Sequence, residues 1–247
     1  METSIHNLSH GAALEKQCDR LIGSLKHRDM NARRNHVSDS HESTFQWIFD
    51  DSIELHWKFG EGVKRPWDSF MEWLKSDQRL YWINGKAGSG KSTLMKFIPI
   101  QCSLKGILCT LLHQLLEGQR AIAMVLCTEV PLISNKDSHN DWSVTELKDF
   151  LFRVLDQHSS HICIFLDGLD EISQAEGTFD LVNLVEKLRD RPKVKICVSS
   201  RPERHLQLCL GKYPSLRLQD LTASDIRQYV TDFLDGLSGQ IREHGDL

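Results

Sequence analysis

At 247 residues, the chain is long enough for one sizeable core with an appendage. It is 40% hydrophobic and 26% charged, with a net charge of −4 and its Lys and Arg spread along the chain. That dispersal supplies neither a basic face for nucleic acid nor a cationic membrane-binding surface, so neither partner is expected. The start is polar, and the longest apolar runs are too short to span a bilayer; the expectation is a soluble, cytoplasmic protein. Seven cysteines form no CxxC pair, and Cys163 and Cys197 fall inside apolar runs. They read as small buried hydrophobes in a reducing compartment. Twelve histidines show no HExxH spacing, so no structural zinc site is expected.

In chain order, "ALEKQCDRLIGSL" predicts a helix with Leu14, Cys18, Leu21 and Leu25 on one face. Phe45, Trp47, Ile48 and Phe49 form an aromatic cluster expected to dock on the main domain, and "SIELHWKFGEGVKRPW" reads as linker. Trp67, Phe70, Trp73 and Leu74 follow helical spacing ahead of a short buried strand, Leu80 to Ile83. After that strand comes "GKAGSGKST", then a helix from Ser92 that Pro99 stops. Leu104, Ile107, Leu108, Leu111, Leu112 and Leu115 predict an amphipathic helix ended by Gly118. Residues 121 to 130 fit either a helix or a strand. Ser143 and Glu146 form a capping box for the helix "VTELKDFLFRVLDQ". Two continuous apolar runs, Ile162 to Leu166 and Val194 to Val198, read as strands buried on both faces. Between them, "TFDLVNLVEKLRD" is the crossover helix; "SLRLQDL" holds a last short strand, and "TASDIRQYVTDFLDGL" starts another helix.

The glycine stretch carries chemistry. Gly85, Gly90, Lys91 and Ser92 meet the pattern GxxxxGK[ST], which chance yields on the order of once per hundred chains of this length. Strand, glycine loop and helix are the parts of a phosphate cradle. Glycines let backbone N–H groups turn toward a phosphate, and the helix N-terminus adds its own free donors. Residues Gly85, Lys86, Ala87, Gly88, Ser89, Gly90, Lys91, Ser92 and Thr93 would hold the phosphates. Lys91 would meet the β- and γ-phosphates, and Ser92 would offer its hydroxyl to Mg²⁺.

A phosphate loop also needs a carboxylate for its metal. Asp167 ends the Ile162 to Leu166 strand, at the carboxyl edge where α/β sheets bind ligands, and would reach Mg²⁺ through a water. Asp170 or Glu171 would polarise the attacking water. Where many P-loop ATPases place glutamate directly after the metal aspartate, this chain has Gly168.

The D-G-L-D-E run resembles the NACHT group of the STAND signalling nucleoside triphosphatases. The resemblance sharpens at Ser199-Ser200-Arg201-Pro202, similar to the S/T-R-P that ends the corresponding NACHT strand. It implies that Arg201 senses the γ-phosphate. "RRNHVSDSHESTFQWIFDD", "PWDSFMEWLKSDQRLYWINGKAGSGKSTLMKFI" and "LRLQDLTASDIRQYVTDFL" resemble the nephrocystin-like N-terminal NACHT proteins abundant in filamentous fungi, over roughly residues 30 to 235. These relatives carry a further stretch, with a strand, between the helix after the glycine loop and the next helix; here it is deleted. The expected fold is therefore α/β, a P-loop NTPase three-layer αβα with a mostly parallel sheet, one edge strand missing, and N-terminal helices. The Asp167 strand becomes an exposed edge.

The implied organisation is an N-terminal helical leader and linker at 1–60, a NACHT-type P-loop NTPase domain at 61–222, and the start of a truncated helical subdomain at 223–247. The implied function is binding of ATP or GTP with slow Mg²⁺-dependent hydrolysis as a signalling switch. The alternative is a non-catalytic fragment that self-associates or pairs with NACHT-containing relatives. A Ras-type GTPase fits less well, since Asn135-Lys136-Asp137-Ser138 lacks the final aspartate of NKxD.

Overall fold

The computed structural model describes residues 2–27, 30, 45–49, 67–95, 103–130, 133, 135–172, 178–222 and 231. In chain order the elements are α1 (Glu2–Ser24), α2 (Phe70–Lys75), β1 (Leu80–Asn84), α3 (Lys91–Leu94), α4 (Leu104–Leu116), α5 (Arg120–Glu129) and α6 (Val144–Gln157). Then follow β2 (Ile162–Leu166), α7 (Thr178–Arg189), β3 (Val194–Ser200), α8 (Arg204–Leu210) and β4 (Ser215–Arg217). The chain divides into two compact units, one built from residues 1–36, 99–162 and 171–181 and the other from 37–98, 163–170 and 182–247. Phe97 and Ile98 of the expected helix, the linker, and the helix expected in "TASDIRQYVTDFLDGL", apart from Thr231, lie outside the described residues.

The first unit is helical. Leu147, Phe150, Leu151, Val154 and Leu155 give α6 one buried stripe at helical spacing. Its start is the expected capping box: Ser143 Oγ accepts from Glu146 N at 3.2 Å, and Glu146 Oε2 accepts from Ser143 N at 2.7 Å. α4 departs from expectation. Beyond the leucine and isoleucine stripe, Gly106, Cys109, Thr110 and His113 are also buried, so the helix is covered nearly all round. Its small residues admit neighbours on the side that was expected to face solvent. Of residues 121 to 130, all but the C-cap Val130 resolve as helix, within α5. Cys18, Leu21 and Leu25 are buried as expected, while Leu14 is half-buried. Cys18 and Cys127 bring α1 and α5 together, with sulfurs 3.8 Å apart. No described helix is long and apolar enough to cross a membrane.

Among the described residues the second unit holds a four-stranded all-parallel sheet in the order β2-β3-β1-β4. β1 pairs with β3 from Leu80↔Ile196 to Asn84↔Ser200, and with β4 from Trp82↔Ser215 to Asn84↔Arg217. An α/β fold with an all-parallel sheet is thus in place. As expected, the Asp167 strand stands at an edge: among the described residues β2 has β3 alone as a strand neighbour.

Its burial corrects the sequence reading. β2 is not buried on both faces, for Cys163 is exposed and Ile162 and Phe165 are half-buried. An apolar run therefore marked an edge strand. Cys197, on interior β3, is fully buried.

One face of the sheet carries an aromatic cluster. Phe70, Trp73 and Tyr81 pack with ring centroids 5.3–5.4 Å apart. Phe45, Trp47 and Ile48 join that cluster, so the aromatic segment docks as expected, although Phe49 stays 65% exposed. Lys195 of β3 crosses to this face, where its ammonium donates to Trp73 O (2.6 Å), Ser76 O (2.7 Å) and Gln78 O (3.0 Å). A single cation thereby adds a donor to carbonyls at the end of α2, where Trp73 O also accepts from Ser76 N and Oγ.

The polar start of α6 sets a pH dependence. The Lys136 ammonium, then the Ser143 N–H and hydroxyl, hold the Glu146 carboxyl down at about 2 from its ordinary 4.5. A carboxyl held low adds stability above its unfolded value and loses it as pH falls through the folded one. Glu146→Gln should therefore lower Tm at neutral pH. Melts across an acid series should show the gap to wild type closing between pH 4.5 and about 2.

Candidate functional site

The glycine loop leaves the carboxyl end of β1. Gly85 N donates to Ser200 O at 3.2 Å, fixing the loop's first residue to the tip of β3. Gly85 and Ser89 are buried, Lys86, Ala87 and Gly88 are exposed, and Gly90, Lys91, Ser92 and Thr93 are half-buried. Gly88 (φ 73°) and Gly90 (φ 85°) turn the chain back into α3. Gly85 is required by closeness, since a Cβ there would stand 2.5 Å from Ser89 Oγ. Lys91 Nζ folds across the loop and donates to Gly85 O (2.5 Å) and Lys86 O (2.9 Å). The positive charge is thus fixed over the loop by the loop's own carbonyls. Among the described residues the buried Ser89 Oγ has no hydrogen-bond partner, a state that costs about 1–3 kcal/mol unless something fills it.

Asp167 lies on the same edge of the sheet. β1 and β2 flank β3, so the loop and Asp167 stand two strand spacings apart, roughly 10 Å. Asp167 is 3% exposed, and its carboxylate accepts from Ser199 Oγ. Gly168 N in turn donates to Ser199 O (3.0 Å) and Ser199 Oγ (3.3 Å). Gly168 has φ 77°, a left-handed turn that a glutamate at this position would strain. That accounts for glycine directly after the aspartate, with the acids displaced to Asp170 and Glu171.

Those two acids differ. The Asp170 side chain is 5% exposed and engages Arg201 twice: it accepts from Arg201 N at 2.9 Å and pairs with Arg201 Nε at 3.3 Å. Arg201 is 55% exposed. Glu171 is exposed at the end of the short turn Leu169–Glu171. The structure therefore brings the glycine loop, Asp167, Asp170 and Arg201 to one sheet edge, with Asp170 turned to Arg201.

Three further residues touch this region without having been singled out for it. Ser199 holds both Asp167 and Gly168; the paired serines before Arg201 were its only signal. Gln219 Oε1 accepts from Lys86 N at 3.3 Å, after a strand too short to advertise its register. Phe45 meets Gly90: a Cβ there would lie 3.0 Å from its ring.

The NKDS run serves structure instead. Lys136 Nζ donates to Asp141 O (2.6 Å) and Glu146 Oε1 (2.8 Å) beside the Trp142 ring. It lines a cavity of about 140 Å³ with Val130, Ile133, Phe150 and Arg153, in the helical unit. Among the described residues no cluster of three or more His, Cys, Asp or Glu is placed to hold a metal.

With this geometry in hand, comparison with known families becomes specific. A profile described as nephrocystin 3, N-terminal, matches residues 67–102 and 99–201, more than half of the chain. The chain belongs to the nephrocystin 3 N-terminal family. No curated protein and no solved structure matches it. The family match spans the glycine loop, Asp167, Asp170 and Arg201, and it breaks into two stretches that meet at residues 99–102. That break falls where the sequence predicts a deleted segment.

In this family member Ser199 should be the structural keystone of the edge. Ser199→Ala removes one hydrogen bond from a buried carboxylate, and should lower unfolding stability by about 2 kcal/mol. A double-mutant cycle with Asp167→Asn, followed by denaturant unfolding, should return a coupling energy clearly above zero.

Proposed function

We propose that this nephrocystin 3 N-terminal family member is a NACHT-type P-loop domain of the STAND class, cytoplasmic, that binds ATP or GTP with Mg²⁺ and hydrolyses it slowly as a signalling switch. The observation that supports it most is the joint placement, on one sheet edge, of Lys91 folded over a glycine loop and of buried Asp167. The buried Ser89 hydroxyl, which has no hydrogen-bond partner among the described residues, fits a cradle with an occupant to receive. Backbone amides from Gly85 to Thr93, with the Lys91 charge, would hold the phosphates. Ser92 and Asp167 would hold the ion, which when bound neutralises phosphate charge. Arg201 would meet the terminal phosphate. On this reading the chain is the core of a three-layer αβα domain, and catalysis comes from positioning and charge rather than covalent chemistry.

A second reading, binding without turnover, is favoured by one contact. Asp170 spends its carboxylate on Arg201 N and Nε, which keeps it from preparing water.

Titrating the purified chain with ATP and GTP analogues, with and without Mg²⁺, tests the proposal. We expect saturable, Mg²⁺-enhanced binding. Lys91→Ala should weaken it at least tenfold, about 1.4 kcal/mol or more. Asp167→Asn should remove the Mg²⁺ enhancement while the fold survives. Unchanged affinity in Lys91→Ala would sink the assignment. Phosphate release measured alongside separates a slow hydrolase from a pure binder.

A further inference from the structure

Four consecutive residues fasten α1 to the chain beside it. Gln17 Nε2 donates to Cys127 O at 3.5 Å, Cys18 Sγ meets Cys127 Sγ at 3.8 Å, and Asp19 pairs with Arg120 at 2.7 Å. Arg20 pairs with Asp137, beyond the end of α5. Arg120 opens α5 and Cys127 lies about two turns along it, so these contacts run the length of that helix. The two sulfurs therefore meet in a seam whose register is set on both sides of them. Both cysteines, and every residue that registers them, belong to the helical unit.

Among the described residues this is the cysteine pair whose sulfurs touch. Cys18 is fully buried and Cys127 nearly so. Packing alone asks only for small apolar side chains here, whereas two thiols in contact also hold chemistry. Each has an effective concentration toward the other that no free thiol matches. Burial, then the neighbouring Cys18, pushes the Cys127 thiol up to about 12, so its thiolate forms while the α1–α5 seam is open. Cys163, which is exposed, has no second sulfur against it among the described residues and stops at a mixed disulfide.

We propose that Cys18 and Cys127 are a modification site: a reversible intramolecular disulfide, formed by exchange with a small-molecule disulfide of the glutathione class, that clasps α1 to α5. One cysteine gives its proton to solvent while the seam is open and attacks a sulfur of the glutathione disulfide. A mixed disulfide forms, and one glutathione leaves as thiolate and takes up a proton. As the seam closes, the second cysteine gives up its proton and attacks the protein-bound sulfur, and the second glutathione leaves the same way. Two protein thiols are oxidised, and one glutathione disulfide is reduced to two thiols. The bridge spans 109 positions of sequence, so it restricts the unfolded chain and adds stability. The clasp stands whether or not the glycine loop binds phosphate.

The full chain, equilibrated across a series of glutathione disulfide to glutathione ratios, tests the proposal. Non-reducing peptide mapping should find Cys18 joined to Cys127 within a single chain, at ratios that leave Cys163 largely unmodified. The oxidised chain should melt several degrees higher and exchange the amide hydrogens of α1 at least about tenfold more slowly, and dithiothreitol should reverse both. Cys18→Ala and Cys127→Ala, each alone, should lose the gain, and Cys163→Ser should keep it. The wild-type peptide map decides the matter even where a variant folds poorly. Absence of a Cys18–Cys127 bridge at every ratio, a bridge mapped to another pair, an oxidised chain no more stable than the reduced one, or a gain that survives Cys18→Ala would each overturn the proposal.

Discussion

Two serines at the tip of β3 hold the ends of the strands on either side. Ser200 takes Gly85 N on its carbonyl and the Trp82 indole on its hydroxyl, at 3.2 and 2.9 Å. Ser199 takes Gly168 N on its carbonyl and donates its hydroxyl to Asp167. The two reach opposite neighbours because the backbone carbonyls of successive strand residues point to opposite sides in the plane of the sheet. The glycine loop and the buried aspartate are therefore positioned by one short, fully buried strand end. A slip of β3 by one residue would exchange the two roles and break both.

Much of this arrangement was legible in sequence because its parts are local. A glycine loop announces itself by spacing, an aspartate by ending an apolar run, and the α6 capping box by residues three apart. The missed features are long-range. Gln219 reaches Lys86 across 133 positions, and Phe45 reaches Gly90 from a segment whose composition suggested only apolar docking. Burial misled in two places for one reason. A continuous apolar run states that a strand can be buried, and it does not state how many neighbours the sheet provides; β2 has one. The α4 stripe likewise named its strongest face and stayed silent about small residues that let other neighbours close in.

The same strand order links the site to the edge. Among the described residues β2 has β3 alone as a strand neighbour, and it carries Asp167 at its tip. An edge strand with one neighbour is held by half the ladder that holds β1 or β3. Asp167 compensates locally, through its own bond to Ser199 and that of Gly168, which tie the tip to β3 whatever happens farther down the strand.

Arg201 and Asp170 show how such a site can hold a charge ready without locking it. The carboxylate has two anchors, a main-chain N–H and the guanidinium of an exposed side chain. A more highly charged anion arriving at this edge can draw the exposed guanidinium away, at the cost of its ion pair with the Asp170 carboxylate, whose side chain is 5% exposed. The main-chain bond would keep Asp170 in place meanwhile. On the proposed reading the arginine could turn to a terminal phosphate without the turn after β2 losing its shape, and the released carboxylate oxygen would then face the same anion from a fixed position. Whether that oxygen helps to prepare water or simply waits for the arginine to return is the physical difference between a slow hydrolase and a binder.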